Sequence, residues 1–430
     1  MNTVLLFLIL VKLSLQLNKK ETQKLFQWGK SKNVKFHPSI FLYSSDKEYP
    51  FPYFTTNTTI SRDDLIIQIP YSVILTVDNI IKYSKSNKIK TIYNALQNNT
   101  NEYIKINSTK EMILMSLVMQ QYKHLLNKNS TLYKRFKNYF HIYKDHSLDN
   151  FPVFYSKEEL AFLTQSSFAS QIQSAKESLE TEVKIMENDI QTTHFLPDEF
   201  IKYRVMTLAH SLLINRTLMY IPFIECFPKS NSNPNVKWVY NETTNTLEII
   251  AIKQIKKGEI LKLHYRKIPN AMNLLYYGYT EEDNSLYSRY LINIINNLFY
   301  KDMNMSKYIY ASDLKVFDIS KETFETDVIE TYNQIAMRHP SYKEYIKSGG
   351  YRLMRDNLVY YVPIYDKFTP GEINKHLYSD IKARDIKRVI SLEKKLIENR
   401  IDYLNNKIQL IESENVNENI IIDDENKDDL

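Results

Sequence analysis

Apolar and polar positions along the chain change period several times, and the changes mark out its elements. Thr22–Lys30 places Leu25, Phe26 and Trp28 on one face of a short amphipathic helix. Phe36–Leu42, Thr55–Ile60 and Leu65–Pro70 then alternate as short strands, with a turn at Ser61-Arg62-Asp63-Asp64 before the last. Val77–Phe168 is mainly helical; Leu114, Leu117, Val118 and Tyr122 fall at helical spacing within Met112–Leu126. Gln171–Asn188 predicts a charged helix solvated on one face, and Asp198–Leu213 a further helix. An apolar run at Tyr220–Phe227 gives way to a polar loop at Pro228–Asn235, then to strands at Val236–Tyr240, Leu247–Ile252 and Ile260–Tyr265. Turns at Asn241–Asn245 and Lys256–Glu259 separate them, Gly258 supplying the backbone freedom of the second.

Past Tyr279 the pattern turns helical again, with candidates at Asp327–Arg338, Ile373–Ser379 and Ile381–Leu410. The last carries Ile386, Ile390, Ile397, Ile401, Leu404 and Ile408 as a near-heptad stripe that packs within its own domain. The domain boundary falls near Asn284, no internal repeat is visible, and the acidic, Asn-rich Glu412–Leu430 is expected to be disordered.

A chain of 430 residues has room for two or three domains with sizeable cores. The net charge of +6 is mild, and no basic run is dense enough to point to nucleic acid. Cys226, the single cysteine, lies in an apolar run and reads as a small buried hydrophobe; with nine scattered histidines, a cysteine-rich zinc cluster is excluded and no metal site is expected.

The densest pattern spans residues 218–280. It reads Ile221-Pro222-Phe223-Ile224-Glu225-Cys226-Phe227-Pro228-Lys229-Ser230, then Trp238 and Tyr240, then Ile255 to Tyr265, then Asn270 to Tyr279. This order resembles the catalytic half of SET-domain protein methyltransferases of the Rubisco large-subunit methyltransferase class. Their frame runs V-P-L-x-D-x-x-N-H-S, W-x-Y, I-x-x-G-E followed by Y-G, and N-x-x-L-L-x-x-Y-G-F. Upstream, Ile60, Asp63-Asp64, Ile67 and Ile69-Pro70 fit the same class, as do Phe136, Tyr139, Pro152, Tyr155, Glu158-Glu159, Leu163 and Phe200. The resemblance covers Thr22 to Leu410, is specific in Ile221–Tyr279 and diffuse elsewhere. It implies the fold class α+β, with a SET-type β-rich core threaded as a pseudoknot over residues 22–280, a helical insert at about 77–200, and a helical, substrate-binding-like C-terminal domain over 285–410. It also implies S-adenosylmethionine as cofactor and a protein or peptide substrate methylated on lysine or histidine.

Carried over by position, the amine-orienting tyrosine is Tyr277, followed by a kept Gly278, while Tyr279 replaces Phe. Tyr265, Tyr279 and His210 stand at substrate-binding positions; His210 replaces an Arg, and as a core histidine it needs no function. The Asn-His pair that holds the cofactor aligns with Pro228-Lys229, and Ser230 follows. Pro228 has no donor to offer, and Lys229 brings a positive charge towards a sulfonium. Pro52-Tyr53-Phe54 stands where glycines let the family backbone approach the cofactor. Two readings follow: a divergent S-adenosylmethionine-dependent methyltransferase, or a catalytically inactive SET fold that binds polypeptide in the old substrate groove.

The ends address the chain. The resemblance begins only near Thr22, so Met1–Gln16, with its apolar Val4–Val11, is extra; it is read as a signal peptide, a buried N-terminal element being the alternative. The run is too short to span a membrane. Lys427-Asp428-Asp429-Leu430 is one carboxylate-conserving change from the K-D-E-L retrieval signal. Together the ends point to the endoplasmic reticulum lumen, where the sequons at Asn57, Asn98, Asn107, Asn129, Asn215, Asn241 and Asn304 could be glycosylated.

Overall fold

Ten short strands and the turns between them position the site. They are β1 (Lys35–Phe36), β2 (Ile40–Tyr43), β3 (Tyr53–Thr56), β4 (Leu65–Pro70), β5 (Ser211–Ile214), β6 (Thr217–Tyr220), β7 (Lys229–Ser230), β8 (Val236–Asn241), β9 (Thr246–Ala251) and β10 (Leu263–His264). The structure is a computed structural model; it describes residues 22–425 apart from 45–48, 50, 144–147, 165, 266–267, 285–290, 294–315, 319–325, 327, 346 and 378. The apolar Val4–Val11 segment and the Lys427–Leu430 terminus lie outside the described residues.

The chain forms two compact units. Residues up to Tyr155, Ile172–Ile268 and Met272–Asn284 make the first; Ser156–Gln171, Pro269–Ala271 and the chain from Ser285 onward make the second.

In the first unit a sheet runs in the order β1-β4-β9-β8-β10-β7. β4 and β9 pair antiparallel, and Ile67, Ile69, Leu247 and Ile249 are fully buried there. The β8–β9 hairpin turns at Asn245, which takes a positive φ of 52° and receives a hydrogen bond from Tyr240 Oη at 2.6 Å. β10 lies parallel to both β8 and β7, so Lys229 and Ser230 stand at the sheet edge beside Leu263 and His264. The strand expected over Ile260–Tyr265 is shorter than its apolar pattern. Its first residue bridges Thr55, Leu261 N donates to Phe54 O at 2.9 Å, and only Leu263–His264 joins the sheet. That crossing between two elements ties the Phe54 segment to the Lys229 segment. Likewise Phe36–Leu42 breaks into β1 and β2, and Thr55–Ile60 into β3 and an isolated bridge from Ile60 to Ile255.

Helices fill residues 77–190 between the strands. Their starts are capped as their sequences suggest: Thr76 and Ser130 each accept from the third amide beyond, and Ser156 with Glu159 forms a reciprocal capping box. Asn107–Gln120 packs on Pro197–His210, where Ser116 Oγ meets Thr207 Oγ1 at 2.9 Å inside the core. Arg204 on the latter helix forms a buried two-pronged pair with Glu182, at 2.8 and 3.0 Å. The helix expected over Asp198–Leu213 stops at His210, and Ser211–Ile214 pairs with Thr217–Tyr220 as a hairpin. The reason is the two-residue turn: Asn215 and Arg216 both take positive φ, 49° and 64°, the geometry that matches strand twist. Leu212 and Ile214 are buried while Leu213 is exposed, a strand's alternation written in residues that also continue a helix.

The second unit is mainly helical among its described residues. The helices Ile329–Arg338 and Gly349–Val359 pack closely; a Cβ on Gly350 would fall 1.9 Å from Asn333 Oδ1. The helix Asp380–Glu425 runs on into the acidic stretch where disorder was expected. Ile386, Ile390, Ile397, Leu404 and Ile408 of its stripe are buried, and it packs on Gly349–Val359 of the same unit. Its Lys382 pairs with the buried Glu159 at 2.8 Å.

Candidate functional site

The site is built where three segments of the first unit meet: the turn after β6, the edge strand β7, and the end of the helix Asn270–Tyr277. Phe223 takes a left-handed φ of 73°, and Ile224–Cys226 forms one tight helical turn, so Glu225 points into the core before the chain reaches Lys229. Gly278, at φ 75°, stops the helix Asn270–Tyr277, and a Cβ there would meet the Phe151 ring at 2.7 Å. The stop sends Tyr279 back to the edge strand. Its hydroxyl accepts from Lys229 N and donates to Lys229 O at 2.9 Å, holding β7 in place.

The Lys229 side chain turns inward. Nζ donates to Ile224 O at 3.1 Å, stands 3.5 Å from Ala209 O, and lies 4.9 Å from the centroid of the Tyr277 ring. The residue is only 5 % exposed. Burial pushes its ammonium down to about 8, against the opposing pull of the Glu225 carboxylate.

Behind Lys229 lies a buried polar network. Tyr143 Oη donates to Glu225 Oε1; Tyr139 Oη reaches the same oxygen at 3.5 Å and Tyr220 Oη at 3.2 Å. His210 Nδ1 bonds the Met206 carbonyl at 2.7 Å, so Nδ1 carries a proton. Its Nε2 stands 3.3 Å from Glu225 Oε1, within ion-pair distance but out of line for a hydrogen bond. The imidazole stacks flat on Tyr220, with centroids 4.9 Å apart and 4° between planes, and takes the edge of Phe51 at 5.3 Å. Burial raises the Glu225 carboxyl, but the attraction of the facing His210 ring and the hydrogen bond from Tyr143 outweigh it, and the group ends below the usual carboxylate range. Burial, reinforced by that carboxylate, holds Tyr139, Tyr143 and Tyr220 well above the ordinary phenol range.

The positions aligned with cofactor contacts are committed elsewhere. Pro228 offers only its carbonyl, which accepts from Leu263 N at 2.8 Å. Ser230 Oγ donates to Glu281 Oε2 at 3.1 Å, and the same carboxylate takes Asn231 N at 2.9 Å and Ser232 Oγ at 2.8 Å. Where the backbone was expected to approach a cofactor, rings stand instead. Tyr49 packs edge-on against Tyr279 at 5.3 Å, Phe51 against Phe151 at 6.1 Å, and Phe54 on Phe227 at 5.0 Å.

Thus Tyr277, Tyr279, Pro228, Lys229 and Ser230 come together in one place. Tyr265 joins them half-buried, its ring edge-on to Tyr277 at 6.1 Å. His210 lies behind them, fully buried and reached through Glu225. Arg266, where the frame has Gly, lies outside the described residues. The sequence alone gives Glu225, Tyr139 and Tyr143 no role as a network. A signal was present: Glu225 is the one charged residue in the apolar run Tyr220–Phe227, and a carboxylate there must find partners. Among the described residues no cluster of histidine, cysteine and carboxylate could hold a metal ion, and no helix is long and apolar enough to cross a membrane.

No family model and no curated protein matches the chain. Solved structures do. The SET domain of LSMT bound to lysine and AdoHcy superposes with a TM-score of 0.59 at 16% identity, covering 90% of this chain and 92% of that one. Rubisco LSMT bound to AdoMet gives 0.58 at 15% identity over the same shares. Rubisco LSMT bound to sinefungin and monomethyllysine gives 0.56 at 14%. At such identity the likeness establishes the fold: a SET-type α+β core followed by a helical C-terminal region, in a sequence far from those of the similar structures.

Proposed function

We propose that this protein is a SET-fold polypeptide-binding protein that has lost methyl transfer. The observation that carries the reading is Lys229, whose ammonium is buried against Tyr277 and the Ile224 carbonyl. In-line methyl transfer needs a neutral amine aligned with a sulfonium methyl, and a fixed positive charge beside that sulfonium opposes it. S-adenosylmethionine therefore does not fit the residues present. Pro228 offers no donor, Ser230 is tied to Glu281, and the Tyr49 and Phe51 rings pack against Tyr279 and His210. Polypeptide binding is supported by the fold: similar solved structures are described with lysine or monomethyllysine bound.

Calorimetry of the purified protein with S-adenosylmethionine tests the reading; no heat is expected at millimolar ligand. The second reading, a divergent lysine or histidine methyltransferase, is favoured by one feature. Tyr277 and Gly278 are kept at a buried helix end, as an amine-orienting tyrosine requires. If heat of binding appears, that reading takes over, and Tyr277→Phe should then lower transfer far more than affinity.

A further inference from the structure

The groups around Nζ of Lys229 are those of an ammonium site. Two backbone carbonyls, of Ile224 at 3.1 Å and Ala209 at 3.5 Å, face the nitrogen, and the Tyr277 ring stands 4.9 Å away. Carbonyl oxygens accept the protons of an ammonium, and an aromatic face attracts its charge. Neither carbonyl is a free loop end: Ala209 lies in the last turn of a helix, Ile224 in the tight turn before β7, and Ala209 and Ile224 are 3 % and 1 % exposed. The cage is therefore a rigid part of the core, and the Glu225 carboxylate adds a favourable field. Lys229 reaches it from β7, its backbone clamped at both N and O by Tyr279.

We propose that this cage is a lysine-ammonium site filled in cis, Lys229 acting as an internal stand-in for the side chain of a bound polypeptide. The proposal rests on the reading of Tyr277 as the amine-facing residue of the fold. It predicts the class of ligand the cage takes once its occupant is cut back, a primary alkylammonium ion. It also says that a polypeptide bound by the intact protein lies in the groove without inserting a lysine.

The test uses the full chain carrying Lys229→Ala. Its thermal midpoint is measured with n-propylammonium or n-butylammonium chloride, with the alcohols of the same length, and with sodium chloride at matched ionic strength. The expected result is a rise of several degrees in the variant with the alkylammonium ions, a smaller rise with the alcohols, and no specific rise in the wild type. Equal effects of ion and alcohol would mean a cavity filled without regard to charge, and the proposal falls. It falls too if the folded variant responds to neither, or if the wild type responds as strongly. Should Lys229→Ala not fold, the wild type gives the answer by NMR with labelled lysine. One side-chain ammonium is expected to exchange slowly and show contacts to the Tyr277 ring protons; ammonium signals that all exchange like surface lysines overturn the idea. S-adenosylmethionine binding to the wild type would sink the inactive reading alone, whereas failure of the alkylammonium test with no cofactor binding would sink only the cage.

Discussion

Lys229 is the residue at which scaffold and chemistry part. The frame of residues 221–279 is kept at Pro222, Trp238, Gly258 and Gly278, where backbone turns and core packing decide the residue type. It is lost at Pro228-Lys229, where cofactor contact would decide it. The inward ammonium makes stability depend on pH in a specific sense. Its folded pKa, about 8, is below its ordinary 10.5, so between those values the unfolded chain holds more protons than the folded one. Stability from this group therefore rises with pH across that window, by at most about 1.4 kcal/mol per pH unit. Urea denaturation of wild type and Lys229→Met, compared from roughly pH 7 to 9.5, should show the wild type gaining on the variant. A constant difference would mean that Lys229 titrates like a surface lysine. The range stops there because the unfolded chain's tyrosines ionise near pH 10 while buried Tyr143 and Tyr279 resist it, which erodes stability in both proteins. That Lys229 would be out of place was legible in the sequence. That it would turn inward onto Ile224 and Ala209 was not, because two carbonyls 15 residues apart converge only when the helix end and the tight turn are folded together.

At the scale of elements, strands and helices were legible where one face is apolar and misread where an element is decided by its turn. The helix ending at His210 is the clearest case. Ser211–Ile214 carries helix-compatible leucines, and only the left-handed pair Asn215-Arg216 turns it into a hairpin. The helix Asp380–Glu425 presents a complementary case, since its polar positions conceal a buried carboxylate. Glu393 is 3 % exposed, accepts from Tyr365 Oη at 2.9 Å and faces the amides of Ser167 and Phe168 at the start of another helix. Burial outweighs these donors and lifts its carboxyl to about 8 from 4.5. The folded state thus holds the extra proton between those values, and stability falls as pH rises through them. Glu393→Gln removes the slope. Relative to wild type it should be more stable at about pH 7.5 than at about pH 5, by roughly 3 kcal/mol, as read from denaturant midpoints. A difference independent of pH would show that Glu393 is ionised in the fold.

At the scale of the whole molecule, neither compact unit is one continuous stretch of the chain. The second unit takes Ser156–Gln171 from within the first half of the chain, and Glu159 and the amide of Phe168 find Lys382 and Glu393 there. Apolar spacing shows that Leu163 and Phe168 are buried; it does not show with which unit. The chain's address belongs to this scale too. We propose residence in the endoplasmic reticulum lumen, from the apolar N-terminal run and the Lys427-Asp428-Asp429-Leu430 end. Deleting Asp428–Leu430 should send the protein into the medium of secreting cells, and unchanged retention would refute the assignment. By itself the sequence determined most of the strands, turns and helix starts, because turns, caps and apolar periodicity are local and each is written in a few adjacent residues, and its order of motifs resembled a SET-type scaffold. The tertiary structure alone decided what the site contains. The ammonium, the carboxylate and one carbonyl share the stretch Ile224–Lys229, but the second carbonyl and the rings come from segments far apart in the chain, and the charges acquire meaning only in the low dielectric where folding brings these groups together.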